Sequence, residues 1–182
     1  MSTFVSDIQD IRKRARAHMS KGAVTDGYKA DREQVIKVLN EVLATEIVCV
    51  LRYKRHYYMA EGFSSESVKA EFLEHATDEQ GHADMIAERI TQLGGEPDFN
   101  PETLATRSHS VYVEGQTLRS MVEEDLVAER IAVETYSEIA RWLGNDDPTS
   151  RRVVERILEK EEEHADDMVS LLGRLSSETP AR

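Results

Sequence analysis

Residues 72–93 read FLEHATDEQGHADMIAERITQL, and residues 154–175, 82 positions later, read VERILEKEEEHADDMVSLLGRL. In both stretches apolar residues return every three or four positions, which is the spacing of one buried face of an α-helix. Both interrupt that face at equivalent places with a glutamate and, three residues on, a histidine. These pairs are Glu79 with His82 and Glu161 with His164. The chain therefore contains a repeated helix whose buried face carries the same polar residues twice.

The helices that precede these two stretches are related in the same way. At an offset of 83 residues, Glu46 aligns with Glu129 and Tyr53 aligns with Tyr136, each within a stripe of mostly apolar residues. Each lone glutamate precedes its Glu-x-x-His pair by 33 or 32 residues. The chain is therefore predicted to be a duplicated helical hairpin.

The links between the helices determine how the two hairpins are joined. We predict long helices at about 31–61, 65–94, 110–144 and 148–176. The first and third links are short, whereas the second runs from Gly94 to about Ser110. A helix of 30 residues is ~45 Å long, so the long link allows the third helix to run parallel to the second. This pattern predicts an all-α four-helix bundle made of two antiparallel hairpins and one crossover.

The composition restricts the class of protein. The chain has 182 residues, a net charge of −12 and 40% hydrophobic residues, which suits one domain with a packed core. Its single cysteine, Cys49, excludes an internal disulfide and a paired-cysteine zinc site, and is predicted to be a small buried residue. The sequence shows neither an apolar run of ~20 residues nor a secretory signal. We therefore expect a soluble, cytoplasmic protein.

The polar residues on the buried faces indicate a metal site. Four carboxylates in one core are costly unless protons or cations neutralise them. A Glu-x-x-His pair places both side chains on one helix face, so both can reach one site. Four carboxylates and two imidazoles suit iron or manganese better than tetrahedral zinc, and helical bundles hold two such ions with this set. The predicted ligands are Glu46, Glu79, His82, Glu129, Glu161 and His164.

Over about residues 31–176 the chain resembles the ferritin-like superfamily, in particular bacterioferritin and the Dps-like mini-ferritins. The motifs that carry the resemblance are ATEIVCVLRY at 44–53, DEQGHAD at 78–84, DLVAE at 125–129 and EEEH at 161–164. The resemblance implies that each half holds one ion through its lone glutamate and its histidine, Glu46 with His82 and Glu129 with His164. Glu79 and Glu161 would bridge the two ions.

The resemblance also implies a function. A ferroxidase would oxidise Fe(II) to Fe(III) with O2 or H2O2, for iron storage and protection against oxidative stress. Each subunit would bind two iron ions, with manganese as an alternative metal. Tyr53 matches the tyrosine that bacterioferritins place near the site. It would supply an electron or a hydrogen bond, or would be only a core residue bonded to a carboxylate.

Three other functions are compatible with the same ligands. A rubrerythrin-like peroxidase is favoured by Tyr136 as the equivalent of Tyr53, although one cysteine cannot build the rubredoxin module of that family. Another di-iron or di-manganese oxidoreductase would use a similar set. A DNA-protecting mini-ferritin would bind DNA through residues 1–30, which carry a net charge of +3 against −15 for the remainder.

The chain departs from the bacterioferritin pattern at three places. Gln80 stands where bacterioferritins have a haem-ligating methionine, so we expect no haem. The tail, residues 177–182, is too short for the fifth helix of 24-subunit ferritins, which favours a twelve-subunit homo-oligomer over a 24-mer or a dimer. Residues 1–30 form an extension with a short surface helix around Ile8–Met19, predicted to be a packing arm or a basic arm that contacts DNA or a neighbouring subunit.

Three further residues are candidates for supporting roles. A metal-binding histidine usually donates its second ring N–H to a carboxylate or a carbonyl, and Asp78 and Asp125 are the candidate acceptors. His75 lies one turn before Glu79, but it aligns with Ile157 and so breaks the repeat. It is predicted to be a core or channel histidine rather than a ligand.

Overall fold

The protein folds as a bundle of four long helices in a computed structural model that describes residues 7–62 and 65–177. These residues form no strand. The helices are α1 Ile8–Arg16, α2 Arg32–Met59, α3 Ser65–Gln92, α4 Leu104–Arg107, α5 Leu118–Leu143 and α6 Pro148–Ser177. α2 packs along α3 and α5 packs along α6, so the predicted all-α bundle of two hairpins is confirmed. In the described part of the chain, no helix is both long and apolar enough to cross a membrane.

The link between α3 and α5 runs along α2. Near its start, the Asn40 amide donates to the Glu96 carbonyl at 3.2 Å. Near its end, the Arg55 guanidinium donates to the Glu114 carbonyl at 2.9 Å. The 15 positions between Asn40 and Arg55 correspond to ~22 Å of helix. The link is therefore the predicted crossover, and it carries the chain back along the bundle before α5 begins.

The predicted start of the third long helix, at residue 110, is wrong, because α5 begins at Leu118. Thr117 caps the helix: its hydroxyl accepts the Ser120 N–H at 3.1 Å, and the Ser120 hydroxyl accepts the Thr117 N–H at 2.9 Å. Gly115 has a φ of +59°, which favours glycine and does not continue a helix. Val111, which falls within the predicted helix, is exposed in this loop. The other predicted ends of the long helices agree with the structure to within two residues.

The buried apolar residues form two main clusters on either side of a polar layer. One lies towards the start of α2 and the end of α3, and its members include Val35, Leu39, Ile86, Ile90, Leu143 and Ile157. The other lies towards the end of α2 and the start of α3, and its members include Tyr53, Phe72, Ala76, Val122, Met168 and Leu171. The layer between them contains the predicted ligands.

The N-terminal extension contacts the bundle through its second half. Val24, Tyr28 and Ala30 pack against the first apolar cluster, and the Tyr28 hydroxyl donates to Asp147 at 2.8 Å. α1 ends at Arg16, earlier than predicted, and has no buried residue. The part of the extension next to α2 is therefore a packing segment. Residues 1–6 and the tail from 178 onward lie outside the described residues.

Candidate metal centre

The six predicted ligands lie together in the core of the bundle. Each of the four long helices contributes at least one of them, and all six side chains belong to residues that are at most 5% exposed. The histidine follows the glutamate by one turn on both α3 and α6, so each pair points into the core from a single helix face. The ligands are Glu46 from α2, Glu79 and His82 from α3, Glu129 from α5, and Glu161 and His164 from α6.

Four of these residues form a first group around His82. Its Nδ1 atom lies 3.3 Å from Glu46 Oε2, 3.3 Å from Glu79 Oε2 and 2.8 Å from Glu161 Oε1. One ligand atom from each of the four residues lies within 4.8 Å of the others. Metal–ligand bonds to nitrogen and oxygen are ~2.0–2.2 Å for a zinc-sized ion, so such a group can surround one ion.

A second group surrounds His164 in the same way. Its Nδ1 atom lies 3.6 Å from Glu79 Oε1, 3.9 Å from Glu129 Oε2 and 3.7 Å from Glu161 Oε2. Glu79 and Glu161 belong to both groups, and in each the two carboxylate oxygens face different histidines. Glu79 on α3 and Glu161 on α6 therefore lie between two potential metal positions.

Several polar atoms at this level have no hydrogen-bond partner. Among residues 7–62 and 65–177, the buried side-chain atoms without a well-aligned hydrogen bond are Glu79 Oε1, both carboxylate oxygens of Glu161, and His164 Nδ1, so the 2.8 Å contact of Glu161 Oε1 with His82 Nδ1 is a charge contact only. An orphaned buried polar atom typically costs 1–3 kcal/mol, and more when it is charged. All four atoms belong to the predicted ligands, so these side chains fit metal ions bound between them.

The charge of the metal-free centre shifts the pKa values of its members. Burial alone lowers the pKa of a histidine, but the surrounding glutamates raise the pKa of His82 to about 12 and that of His164 to about 10. Burial and the charge of Glu79 raise the pKa of Glu46 to about 8, and burial with the same neighbouring charge raises the pKa of Glu129. Protons therefore balance the buried carboxylates at neutral pH when no metal is present.

The two aligned tyrosines each contact a lone glutamate of the opposite hairpin. Tyr53 on α2 donates to Glu129 Oε1 on α5, and Tyr136 on α5 donates to Glu46 Oε1 on α2. Both tyrosines are buried, and burial together with nearby carboxylates raises the pKa of each phenol. The duplication is thus also present in the hydrogen bonds that hold Glu46 and Glu129, which we call the two outer carboxylates.

Of the two candidate acceptors, Asp78 contacts one of the two predicted ligand histidines. Its Oδ2 atom lies 3.3 Å from His164 Nε2, and Lys160 Nζ lies 3.4 Å from the same carboxylate oxygen. The expectation for Asp125 is wrong. Its carboxylate instead accepts from Arg52 Nε at 2.8 Å and lies 2.8 Å from His56 Nδ1.

The buried Arg52 network joins the crossover to the bundle and was not found from the sequence. Arg52 is 1% exposed, and its Nη1 atom also donates to the Ser110 hydroxyl at 3.0 Å and the Val111 carbonyl at 3.3 Å. Arg52 lies two turns after Glu46 but has no equivalent in the second half, so the repeat gave no signal for it. Cys49 is buried beside it, as predicted, and burial raises the pKa of its thiol.

His75 lies beside the centre without being one of the six predicted ligands. It is 2% exposed, and its ring stacks on that of His164 with centroids 3.9 Å apart. Its Nδ1 atom lies 3.2 Å from the Tyr53 hydroxyl, and its Nε2 atom lies 3.5 Å from Asp167 Oδ2. Burial and the neighbouring His164 lower the pKa of His75 to about 3.

A surface cavity of about 520 Å³ between α3 and α6 reaches the edge of the centre. His82 lines its floor, and the charged residues around it include Asp78, Arg156, Lys160 and Glu163. This opening is a short route from solvent to the first ligand group. It also brings Asp78, the partner of His164, within reach of solvent.

Two groups of sequence candidates lie away from the centre. Gln80 is on the exposed side of α3, where its amide donates to Asp84 at 3.0 Å, and the absence of haem stays a prediction. The basic residues of the N-terminal extension that are candidates for DNA contact lie on helix α1, which has no buried residue, and are Arg12, Lys13, Arg14 and Arg16. Contact of this segment with DNA likewise stays a prediction.

The fold and this group of side chains are those of helical bundles that can hold two metal ions. The chain belongs to the ferritin family, since a ferritin-like domain matches residues 36–177. It is 32% identical over 140 residues to bacterioferritin from Desulfovibrio desulfuricans, an alignment that covers 76% of this chain and 74% of that protein.

Solved structures show the same relationship. A dodecameric thioferritin, the bacterioferritin-related protein of Bacteroides fragilis, superposes with a TM-score of 0.77 at 29% identity, covering 84% of this chain and 94% of that one. The D. desulfuricans bacterioferritin, studied with its diiron site in different catalytic states, superposes with a TM-score of 0.72 at 27% identity, covering 82% and 84%. The resemblance inferred from the sequence motifs is confirmed.

Proposed function

We infer that this protein is a ferroxidase that binds two Fe(II) ions per chain, oxidises them to Fe(III) with O2 or H2O2 and retains the product as stored iron. The observation that carries this proposal is the pair of overlapping ligand groups around His82 and His164. Unpartnered atoms of Glu79, Glu161 and His164 face these two positions. The diiron site of the D. desulfuricans bacterioferritin supports the same choice of metal.

Each residue has a defined task in the proposed reaction. Glu46 with His82 and Glu129 with His164 hold the two ions, and Glu79 and Glu161 bridge them. Anionic oxygen ligands stabilise Fe(III) more than Fe(II), so the carboxylates favour oxidation.

The reaction balances with either oxidant. Each Fe(II) gives up one electron, and O2 takes two electrons and two protons to become H2O2, or H2O2 takes them to become two water molecules. Tyr53 and Tyr136 hold the outer carboxylates in place throughout.

The assembly is proposed to be a homo-oligomeric shell of twelve subunits. The dodecameric state of the B. fragilis relative supports this number. A shell would provide the enclosed volume in which oxidised iron can accumulate beyond two ions per chain.

Mixing Fe(II)-loaded protein with O2 or with H2O2 tests the proposal. The absorbance of Fe(III) gives the oxidation rate, and size-exclusion chromatography with iron analysis gives the particle mass and the iron it retains. We expect rapid oxidation and a particle that retains many more than two irons per chain. The variant pair Glu46→Gln and Glu129→Gln should lose fast oxidation, whereas Glu123→Gln, on the exposed face of α5, should not.

One observation favours a second candidate, a rubrerythrin-like peroxidase. Tyr136 mirrors Tyr53 across the repeat, so both lone glutamates have a phenol partner. In that case H2O2 would consume Fe(II) rapidly, no mineral would accumulate, and added reductant would restore Fe(II) through repeated cycles. The same mixing experiment separates the two functions, because only a storage protein retains excess iron.

A further inference from the structure

Three side chains outside the six ligands face one another one helical turn from the centre. Glu71 and His75 lie on α3, and Asp167 lies on α6, three residues after His164. One ligand atom from each lies within 4.8 Å of the other two. Bonds of ~2.0–2.4 Å from a divalent cation to nitrogen and oxygen ligands match that spread. The spacing is therefore that of a cation site.

The hydrogen bonds of His75 direct an unprotonated nitrogen towards this group. When the Tyr53 phenol donates its one proton to Glu129, its oxygen is free to accept from the Nδ1–H tautomer of His75, whose Nδ1 atom lies 3.2 Å away. In the neutral ring Nε2 then carries a lone pair, and it lies 3.5 Å from Asp167 Oδ2. Two electron-rich atoms that face each other at this distance repel unless a proton or a metal cation lies between them. His75 itself is only 2% exposed, so its ring is held in place by the surrounding protein.

The charges around the group also favour a cation. Burial and the charges of Asp167 and Glu74 raise the pKa of Glu71, while the charges of Arg174 and His164 lower it. The negative charge of Asp167 thus disfavours ionised Glu71, and a cation between the two carboxylates would relieve that repulsion. The Asp167 side chain is 45% exposed, so water molecules can complete the coordination of an ion. The group is open to solvent on one side and bounded by His75 on the other.

We propose that Glu71, His75 and Asp167 form a third site, which binds a divalent transition-metal cation such as Fe(II) or Mn(II). One imidazole and two carboxylates suit these metals, with water in the remaining positions. The ring of His75 separates this site from the dinuclear centre, because it stacks on His164. The third site goes beyond the proposed function and does not depend on it.

Anomalous diffraction from crystals soaked anaerobically in a Mn(II) salt tests the site directly. We expect three Mn(II) peaks per chain, one of them between Glu71, His75 and Asp167. The double variant Glu71→Gln with Asp167→Asn should lose that peak and keep the two at the centre. The matched control, Glu74→Gln with Asp166→Asn, changes exposed neighbours on the same helices and should keep all three. Equilibrium dialysis of both variants should give two and three Mn(II) per chain, respectively.

The outcomes distinguish this site from the dinuclear centre. Two peaks at the centre and none at the third position would overturn the third site and leave the proposed function intact. A peak at the third position with an empty centre would support the third site and contradict the proposed function. A third peak that survives in the Glu71→Gln, Asp167→Asn variant would overturn the assignment of its ligands.

Discussion

Tyr53 on α2 donates a hydrogen bond to Glu129 on α5, so a residue of the first hairpin holds an outer carboxylate of the second. Tyr136 on α5 donates the equivalent hydrogen bond to Glu46 on α2. These two bonds cross the interface between the hairpins and lie within the polar layer. The duplication therefore links the two halves of the bundle as well as supplying equivalent ligands.

Removing the Tyr53 hydroxyl should weaken the metal-free protein. In Tyr53→Phe, Glu129 loses its buried donor, and such a loss typically costs 1–3 kcal/mol. We expect the free energy of unfolding, measured by chemical denaturation without metal, to fall by about that amount. Tyr136→Phe should behave alike, whereas Tyr58→Phe, 76% exposed, should have no effect. Equal stability of all three variants would contradict the role assigned to these bonds.

Breaking the Arg52 network should be more costly. Asp125→Ala leaves the guanidinium of Arg52 buried without its carboxylate, and the loss of one partner of a buried ion pair costs roughly 3–5 kcal/mol. Thermal and chemical denaturation should show a loss of that order. The control is Glu123→Ala, which removes an exposed pair with Arg119 and should cost less than about 1 kcal/mol. Similar losses of stability for both variants would contradict the role assigned to the Arg52 network.

Metal binding should release protons, and affinity should increase with pH. At pH 7 the pKa values of about 12 for His82, about 10 for His164 and about 8 for Glu46 keep all three mainly protonated without metal. An ion needs the unprotonated imidazole and the ionised carboxylate, so these protons must leave. Anaerobic Mn(II) titration calorimetry in buffers of different ionisation enthalpy should detect the release, and affinity should be higher at pH 8 than at pH 6. Binding that is independent of pH would contradict this charge balance.

Asp78 should matter for one of the two ions more than for the other. It contacts Nε2 of His164, and partners of this kind typically change metal affinity by about 10- to 100-fold. Asp78→Asn should weaken the binding of one Mn(II) per chain by that factor in equilibrium dialysis. Asp84→Asn, an exposed change six residues further along α3, is the control and should bind both ions as the wild type does. Equal weakening of the binding of both ions would contradict a role of Asp78 that is specific to His164.

The sequence predicts which six side chains the bundle brings together, because its evidence is local and duplicated. Glu-x-x-His places two ligands on one helix face, and the second copy repeats the pattern. The Arg52–Asp125 pair could not be predicted, because it depends on the register between α2 and α5 after the crossover. The same holds for Glu71 and Asp167, which α3 and α6 bring together only in three dimensions. The start of α5 could not be read from apolar spacing, because the Thr117 cap and the positive φ of Gly115 determine where the helix begins.

Anaerobic titration with Fe(II) tests the dinuclear centre most directly. The protein should carry Asp167→Asn, so that the third site does not contribute, and Glu79→Gln with Glu161→Gln should be compared in that background. Glutamine keeps the size of the side chain and removes the buried charge, and circular dichroism verifies the helical fold. We predict two tightly bound Fe(II) per chain in Asp167→Asn and none in the variant that also lacks both bridging carboxylates. Two tightly bound Fe(II) in both proteins would contradict a centre bridged by Glu79 and Glu161.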